Sequence, residues 1–356
     1  MESMIINRLE KGKFVLIAEI GVNYYDIAEK EGITPLEAAK EMIRAANDAG
    51  IHAVKFQTYQ AGKLAAKASP SYWDLAEEPT TSQYELFKKF DHFGYEEYRE
   101  LKVYADSLGI EFLSTAFDFE AADYLDELMA VYKISSSDLS NLPFIKYQAQ
   151  KNKPILLSVG ASQLLEIEAA VDAIRMYSEQ PIVLMHCVLE YPTPPEDANL
   201  LKIVSLTKQF PELYIGYSDH TKPTKNCDVI KTAYNLGALC VEKHFTLDKT
   251  LKGNDHYHAM DQEDAKRILK GIQELDLIRG KGDLVCLETE QTARKNARRS
   301  IVAKSAIAKG TAVTEEMLTF KRPGTGISPD RLSQLTGRIA LEDIAEDTIL
   351  MDWMFE

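Results

Sequence analysis

Two segments of the chain end a strand-like run with a histidine. The segment YIGYSDHT (214–221) begins with residues typical of a buried strand and ends in polar side chains that include His220. The segment CVEKHFTLDK (240–249) repeats the pattern and carries His244. A single histidine at a strand end is most often a hydrogen-bonded structural residue, whereas two on neighbouring strands are typical ligands of a divalent metal. The sequence therefore predicts a metal site where these two strands end.

Polar side chains also stand at the ends of the other strand-like runs. Three of these side chains are lysines, Lys55, Lys133 and Lys243, and burying a lysine in a sheet is costly unless an anion meets it. Each lysine could instead extend to solvent along its aliphatic stem. The other polar residues at these ends are Glu19, Asn23, Gln57, Ser114, Thr115, Ser135, Ser136, Asp138, Ser158, Cys187, Tyr191 and Ser218. Lysines with a ring of hydroxyl groups indicate a site for a phosphate and a carboxylate.

Three further residues have plainer interpretations. Nothing in the sequence marks Cys187 as an activated thiol, so it is predicted to be a small core residue. His256 and His258, in the segment GNDHYHAMD, could ligate a metal. Their alternate spacing on a polar loop favours contact with solvent or substrate instead.

The elements that must position these residues alternate along the chain. Strands are predicted at 14–21, 52–59, 111–117, 131–136, 154–160, 181–188, 213–220 and 239–247, and helices at 34–50, 95–108, 118–129, 163–178, 198–210, 227–236 and 261–279. Apolar strands separated by helices predict a parallel sheet covered by helices. Eight such units favour an α/β fold of the (β/α)8 TIM-barrel type, with the active site at the carboxyl ends of the strands. No GxGxxG segment follows a strand, which argues against a dinucleotide-binding fold.

The composition of the chain changes after the predicted barrel. The barrel is predicted to span 1–280, followed by a polar linker at 281–298 and a small separate domain at 299–356. This last segment has short strand-like runs and turn signals but little helical period. Within the barrel, 60–94 is the longest segment without a predicted element, and a loop of this length is usually functional.

Bulk properties exclude several classes of partner. The 356 residues carry a formal net charge of −14, which argues against binding to nucleic acid or to an anionic membrane surface. The N-terminal segment is charged, and no apolar run approaches membrane-spanning length. The four cysteines are sparse and show no CxxC pairing, as expected of reduced thiols. These features predict a cytoplasmic protein.

A set of motifs resembles the sialic acid synthase family. The segments IAEIGVN, VKFQT, FLSTAFD, YKISS, ILLSVGAS, HCVLEYPTP, GYSDHT, EKHFTLDKTLKGNDH and RRSIVAKSAIAKG recur in the family's order over nearly the whole chain. The resemblance implies a transferase that condenses phosphoenolpyruvate with N-acetylmannosamine, or a close 2-acetamido sugar, to give a nine-carbon 2-keto acid and phosphate. It also implies a (β/α)8 barrel followed by an antifreeze-like (SAF, β-clip-type) domain. In the family's domain-swapped homodimer, this domain closes over the partner's active site.

The resemblance assigns roles to individual residues. It implies that His220 and His244 are the only protein ligands of a divalent metal, Mn²⁺ first, with Mg²⁺ or Co²⁺ as alternatives. The positions around phosphoenolpyruvate are Lys55, Thr115, Lys133, Ser136, Ser158, Ser218 and Arg298. The positions on the sugar side are Gln57, Tyr191, Asp255 and Arg322. The catalytic positions are Glu19, Lys133 and Asp138.

The chain departs from the family pattern in places, and two other functions stay open. The first loop reads Asn23-Tyr24-Tyr25-Asp26 in place of Asn-His-Asn-Gly, and Leu189 stands where several members have a polar residue. One alternative function is a legionaminic- or pseudaminic-type synthase that uses a diacetamido-trideoxy-hexose. The other is a catalytically silent barrel that binds a sugar or a protein.

Overall fold

The protein is described by a computed structural model that covers residues 2–73, 75–253 and 255–356. The chain forms two compact units, Met1–Arg279 and Gly280–Glu356. None of the described helices has both the length and the apolar character needed to cross a membrane.

The N-terminal unit is a closed barrel of eight parallel strands in chain order. Strands β1 to β8 span Val15–Gly21, Ala53–Thr58, Glu111–Ala116, Tyr132–Ile134, Ile155–Ser158, Ile182–Cys187, Tyr214–Asp219 and Cys240–His244. β8 pairs with β1 and closes the barrel, which places His244 beside Glu19. All eight predicted strands are present, shortened at one or both ends, and the TIM-barrel prediction is confirmed.

Twelve helices accompany the strands of this unit in the described residues. Helices α1 to α12 span Met4–Glu10, Tyr24–Glu31, Pro35–Asp48, Ala61–Leu64, Gln83–Lys88, Tyr95–Leu108, Phe119–Asp126, Leu142–Ala149, Leu164–Arg175, Leu201–Gln209, Asp228–Asn235 and Gln262–Arg279. The seven predicted helices correspond to α3, α6, α7 and α9 to α12. The five that the sequence did not predict are at most eight residues long, which is too short for a clear helical period.

Helix α3 forms where its capping signals place it. The Thr34 hydroxyl accepts the Glu37 backbone N–H at 3.2 Å, and the Glu37 carboxylate accepts the Thr34 backbone N–H at 2.9 Å. Pro35 occupies the first helical position, where its missing N–H is not needed. Gly50 ends the segment with a φ of 82°, a conformation that favours glycine.

The amino-terminal end of the barrel interior is apolar. Strand residues and helix α1 share one buried cluster there, which includes Ile17, Leu156, Ile5 and Leu9. Because alternate residues of a strand point to the same face, the next inward positions on β1 and β5 are Glu19 and Ser158. The apolar packing therefore ends where the polar residues begin, and the polar cluster lies toward the carboxyl ends of the strands.

Helix α2 anchors the segment 60–94 through an aromatic cluster. The ring centroids of Tyr24 and Phe93 are 4.8 Å apart, and those of Tyr25 and Phe90 are 5.5 Å apart. Tyr24 is fully buried. The departure from the family pattern at these two tyrosines therefore builds hydrophobic core between the first loop and the segment 60–94, which contains α4 and α5.

The C-terminal unit is built on a two-stranded antiparallel sheet of β9 (Ser300–Ala303) and β10 (Leu318–Lys321). Isolated bridges such as Val302 with Ile349 and Ala340 with Phe355 extend its β structure, and a separate hydrophobic cluster fills its core. Helices α13 (Gln291–Ala297) and α14 (Leu332–Leu335) belong to this unit. The segment predicted to be a linker therefore contains a short, exposed helix.

Candidate active site

A cavity of about 450 Å³ opens at the carboxyl ends of the barrel strands, and each of the eight strands contributes to its wall. The predicted site residues on this wall are Glu19, Lys55, Gln57, Thr115, Lys133, Ser136, Asp138, Ser158, Tyr191, Ser218, His220 and His244. The structure thus brings these residues together where barrel enzymes carry their active sites. Their individual roles stay predictions.

Three predicted residues lie elsewhere. Asp255 lines an adjoining chamber of about 110 Å³, which shares Gln57, Tyr191 and His244 with the main cavity. Arg298 and Arg322 belong to the C-terminal unit, where both are exposed. Their contacts with substrate stay predictions.

Two buried ammonium groups lie in the cavity wall beside two carboxylates. Lys55 Nζ is 2.5 Å from Glu19 Oε2 and 3.7 Å from Glu242 Oε1. Lys133 Nζ is also 3.7 Å from Glu242 Oε1. Gln57 Nε2 donates to Glu19 Oε1 at 2.8 Å and fixes that carboxylate. The pairing explains how two lysines are tolerated in a buried wall.

Burial and charge set different pKa values for these four groups. Burial lowers the pKa of Lys133, and Glu242 compensates only in part. Burial would also lower the pKa of Lys55, but the carboxylates of Glu19 and Glu242 outweigh it and raise this pKa. Burial raises the pKa of Glu19, whereas at Glu242 the ammonium groups of Lys133 and Lys55 outweigh burial and lower the pKa. Glu19 is therefore the carboxyl group better suited to hold a proton, and Glu242 stays ionised.

The wall beside Lys133 is tightly packed and offers a free hydroxyl group. Ser136 Oγ accepts the Gly160 backbone N–H at 2.8 Å and lies 3.0 Å from Cys187 Sγ. A Cβ on Gly160 would lie only 2.6 Å from Cys187 Sγ, so the close approach requires glycine. The buried Ser158 hydroxyl has no hydrogen-bond partner among the described residues, and it is available to a ligand.

The prediction that Cys187 is a small core residue is confirmed in part. Its side chain is 3% exposed, and burial raises the pKa of its thiol. It nevertheless lies on the cavity wall, so its size shapes the space that a ligand would occupy.

Three buried histidines surround one corner of the cavity. The ring centroids are 5.7 Å apart for His220 and His244, 4.9 Å for His244 and His258, and 6.5 Å for His220 and His258. His220 Nδ1 lies 2.6 Å from the Val188 carbonyl oxygen, which fixes the tautomer that donates from Nδ1 and leaves the Nε2 lone pair free. His244, Asp255 and His258 each offer a ligand atom, and these atoms lie within 4.8 Å of one another.

The charge state of this corner suits a cation. Burial lowers the pKa of His220 to about 4 and the pKa values of His244 and His258 well below 6.5. Burial, followed by the charges of Glu19 and Asp26, raises the pKa of Asp255 to about 7. Neutral imidazoles are the form that binds metal. The donor set therefore fits a divalent cation.

The sequence predicted that His256 and His258 contact solvent or substrate. Contact with solvent is wrong, because both side chains are fully buried. His256 Nδ1 is 2.7 Å from Thr246 Oγ1, and its Nε2 is 3.1 Å from Asp26 Oδ2. His256 therefore ties the loop after β8 to helix α2. The polar composition of the loop carried no signal for this burial.

Lys243 does not join the cavity, which corrects the expectation that three lysines bind the anion. Lys243 Nζ is 2.7 Å from Asp219 Oδ2 and donates to the Thr221 carbonyl at 2.5 Å. Lys243 and Asp219 are each 1% exposed. They line a small pocket together with Ile230 and Ile268 of helices α11 and α12, so this pair lies between the barrel and its outer helices.

Glu242 is a cavity residue that the sequence argument missed. It accepts from the Ser218 hydroxyl at 3.2 Å and faces both cavity lysines. Side chains alternate along β8, so Glu242, two residues before His244, points to the same face as His244. This alternation could have identified Glu242 from the sequence. The same rule sends Lys243 to the opposite face.

Two further residues lie at the rim of the cavity. Asp138 lies on a 3-10 turn at Ser136–Asp138 and accepts from Asn141 Nδ2 at 3.2 Å, and burial raises its pKa. Leu189 lines the cavity and is 38% exposed. It presents an apolar side chain where the family pattern has polar residues.

Comparison with known proteins points to one group. The NeuB family model matches residues 42–283, and the SAF domain model matches residues 298–356. The chain is 35% identical to the N,N'-diacetyllegionaminic acid synthase of Legionella pneumophila over 95% of this chain and 93% of that protein. It is 36% identical to the enzyme of the same name from Campylobacter jejuni over 96% and 99%. The solved N-acetylneuraminic acid synthetase of Leptospira borgpetersenii has a TM-score of 0.66 and 29% identity over 79% of this chain and 90% of that chain.

Proposed function

Because the chain belongs to the NeuB family, we propose that it condenses phosphoenolpyruvate with an N-acylated amino sugar to give a nine-carbon 2-keto acid and phosphate. One observation carries this proposal. A single cavity contains the buried ammonium groups of Lys55 and Lys133 together with the neutral imidazoles of His220 and His244. A catalytically silent barrel would gain nothing from keeping these costly groups buried.

The anionic substrate binds on the lysine side of the cavity. Lys133 is the better phosphate partner because, in the part of the chain that the structure describes, its only close carboxylate is Glu242 at 3.7 Å, which it shares with Lys55. The free hydroxyl of Ser158 and the Ser136 hydroxyl lie on the adjoining strand ends. These groups position the phosphate and the carboxylate, which fixes C3 of phosphoenolpyruvate against the sugar aldehyde.

The reaction forms one carbon–carbon bond and one carbon–oxygen bond, and it breaks the carbon–oxygen bond between C2 and the phosphate. C3 of phosphoenolpyruvate attacks the aldehyde carbon, and the aldehyde oxygen takes up a proton. Water then adds to the cationic C2 and loses one proton, and the tetrahedral intermediate gives its hydroxyl proton to the departing phosphate and becomes a ketone. Glu19 is suited to accept the proton from water because burial raises its pKa. Asp138, whose pKa burial also raises, is the second candidate.

His220 and His244 would hold a divalent cation, for which we propose Mn²⁺ first and Mg²⁺ or Co²⁺ as alternatives. The structure supports this because the His244 Nδ1 is buried without a hydrogen-bond partner among the described residues, while His220 is oriented by Val188. A bound cation supplies Lewis-acid stabilisation of the oxygen that gains negative charge.

For the sugar, we propose a diacetamido-trideoxy-hexose ahead of N-acetylmannosamine. The two relatives named diacetyllegionaminic acid synthases are 35% and 36% identical to this chain over 95% and 96% of its length. The side chamber next to Asp255 is lined by Tyr59, Leu86, Phe87 and Phe90. Apolar side chains of this kind suit a second acetyl group or a deoxygenated carbon better than they suit hydroxyl groups.

The test is a screen of aldoses with phosphoenolpyruvate, with phosphate release and product mass as the readouts. The expected result is sugar-dependent phosphate release that is fastest with the diacetamido sugar and stops when a chelator removes the metal. A preference for N-acetylmannosamine would overturn the sugar assignment alone. Release with no aldose of the panel, from metal-loaded protein, would overturn the synthase assignment.

We further propose that the C-terminal unit acts in trans within a homodimer in the cytoplasm. The segments that carry Arg298 and Arg322 adjoin each other, because the Gly324 N–H donates to the Lys295 carbonyl at 2.8 Å and a Cβ on Gly324 would lie 2.8 Å from Arg298 Cβ. This supports a joint role in which Arg298 reaches the phosphate and Arg322 the acetamido group.

Complementation tests the exchange of domains. A His220→Ala chain is mixed with an Arg322→Ala chain under conditions that exchange subunits. In a mixed dimer one site carries both defects and the other carries neither, so activity should return. If exchange is proven by mass and the mixture stays as inactive as its components, the unit acts within its own chain.

A further inference from the structure

We propose that His258 is a third imidazole ligand of the divalent cation, in addition to His220 and His244. The inference rests on the metal site of the proposed function and extends it to a residue on the loop after β8. Ligand atoms of His244, Asp255 and His258 lie within 4.8 Å of one another.

His258 has no hydrogen-bond partner among the described residues. Both ring nitrogens of His258 are buried and form no hydrogen bond within the described part of the chain, and His244 Nδ1 shares this condition. Burying a polar group without a partner costs on the order of 1–3 kcal/mol. Three bare nitrogens on two neighbouring rings are therefore a costly arrangement unless something binds them. A divalent cation that accepts a lone pair from each ring removes much of this cost.

The distances between the three imidazole rings also support a shared ion. A ligating nitrogen lies about 2.1 Å from the metal, and the ring centroid lies about 1.2 Å beyond it. Two imidazoles on one ion therefore have centroids up to roughly 6.6 Å apart. The observed separations of 4.9, 5.7 and 6.5 Å all fall within this limit. Each pair of these rings is therefore close enough to share an ion.

A purely structural role explains the ring of His258 but not its nitrogens. The ring packs edge-on against Tyr191 and Tyr257, with centroid separations of 5.7 and 4.9 Å. A phenylalanine would make the same contacts without two unpaired polar atoms. His256, two residues earlier on the same loop, shows the structural case, because both of its nitrogens have partners at 2.7 and 3.1 Å.

A third imidazole also changes which metal the site prefers. Imidazole-rich sites favour later transition metals, whereas carboxylate and water ligands suit Mg²⁺. With His258 as a ligand, the preference for Co²⁺ over Mn²⁺ and Mg²⁺ should be larger than in a site with two imidazoles. Removal of His258 should reduce the affinity for Co²⁺ more than the affinity for Mg²⁺.

The experiment compares the full-length metal-free protein with His258→Phe, which keeps a ring of similar shape. His186→Phe is the matched control, because His186 is also buried and stacks on an aromatic ring, Tyr217, at 5.5 Å, but it bonds to the Ala198 carbonyl. Mn²⁺ and Co²⁺ dissociation constants are measured by titration calorimetry. Pulsed electron paramagnetic resonance of the Mn²⁺-loaded proteins counts the coordinated imidazole nitrogens. Circular dichroism confirms that each variant is folded.

The expected result is three coordinated imidazoles in the wild type and in His186→Phe, and two in His258→Phe. The dissociation constant for Co²⁺ should rise on the order of 10- to 100-fold in His258→Phe, as for loss of groups that support a metal site. Should His258→Phe not fold, His258→Gln takes its place, with the same expected count of two. Two imidazoles in the wild type would overturn the inference while leaving the synthase assignment intact. Three imidazoles in a protein that condenses no aldose would support the inference and overturn the synthase assignment instead.

Discussion

The ion pair of Lys243 and Asp219 offers the sharpest test of where the barrel places its lysines. In Lys243→Met, the Asp219 carboxylate keeps three donors to Oδ1, from Tyr217 Oη at 3.0 Å, Thr221 N at 3.0 Å and Thr221 Oγ1 at 2.8 Å. Its Oδ2 loses the ammonium group at 2.7 Å, and the Thr221 carbonyl loses its donor. Both side chains are 1% exposed, so water does not replace the lost partner.

These contacts set the size of the expected effect. Removing one partner of a buried pair costs about 3–5 kcal/mol, because the other charge stays buried without compensation. The three remaining donors to Asp219 place Lys243→Met near the lower end of this range, at about 3 kcal/mol. Since Lys243 does not line the cavity, the KM for phosphoenolpyruvate should stay within about twofold of wild type, which corresponds to about 0.4 kcal/mol.

The assay is urea unfolding followed by circular dichroism, together with steady-state kinetics on the same preparations. The double variant Lys243→Met with Asp219→Asn removes both charges and should recover at least half of the lost stability. Lys133→Met is the matched control, with the opposite expectation of a small loss of stability and a large rise in KM. If Lys243→Met leaves the urea midpoint unchanged and weakens phosphoenolpyruvate binding as Lys133→Met does, Lys243 faces the ligand and its placement here is refuted.

Three further outcomes follow from the structure. Gly160→Ala places a Cβ 2.6 Å from Cys187 Sγ and should raise the KM for phosphoenolpyruvate about tenfold, or by about 1.4 kcal/mol. Adding Cys187→Ala should restore it in part, because Ser136 Oγ at 3.0 Å and the Cys187 carbonyl oxygen at 3.2 Å still crowd the new methyl group; no rescue would contradict the clash. Ser158→Ala should also raise the KM for phosphoenolpyruvate. It should change the free energy of unfolding by less than about 0.5 kcal/mol, because the Ser158 hydroxyl has no hydrogen-bond partner among the described residues. A large loss of stability would show that this hydroxyl forms a hydrogen bond that stabilises the fold. Burial lowers the pKa of His52 from 6.5 to about 4, and its Nδ1 accepts the Leu16 N–H at 3.0 Å. As the pH falls, the unfolded chain therefore takes up a proton at His52 before the folded protein does. The stability that neutral His52 contributes is lost as the pH falls below about 6.5. Urea midpoints should depend less on pH in His52→Gln than in the wild type, and equal dependence would contradict this.

Sequence patterns were sufficient for the barrel because its signal is repeated eight times. Each apolar strand run was long enough to be recognised, and capping residues such as Thr34 and Gly50 marked helix ends. The short helices α1, α2 and α8 were missed because seven or eight residues show only a weak period, whereas α7 and α11, with eight residues each, were predicted as parts of the longer segments 118–129 and 227–236. Their formation depends on tertiary contacts, such as those of Ile5 and Leu9 with the barrel interior.

The candidate site was predicted less evenly than the fold. Residues that close a strand, such as Ser158 and His244, could be placed because every parallel strand ends at the same side of the barrel. Residues on the loops could not be placed in this way. The burial of His256 and His258 depends on how the loop after β8 folds against α2 and the cavity, and no local pattern encodes this contact.

The last two strands show that the residue types at a strand end do not by themselves identify the side chains that face the cavity. The alternation of side chains along the strand is needed as well. β7 and β8 each end with a charged residue that flanks the histidine, and only alternate residues share a face. Ser218, Glu242 and His244 therefore reach the cavity, while Asp219 and Lys243 pair behind it. The buried pair joins the ends of β7 and β8 behind the cavity, with the partners directly opposite each other in the strand register. Lys243 therefore contributes to the stability of the barrel and not to contact with the ligand, as the nearly unchanged KM expected for Lys243→Met requires.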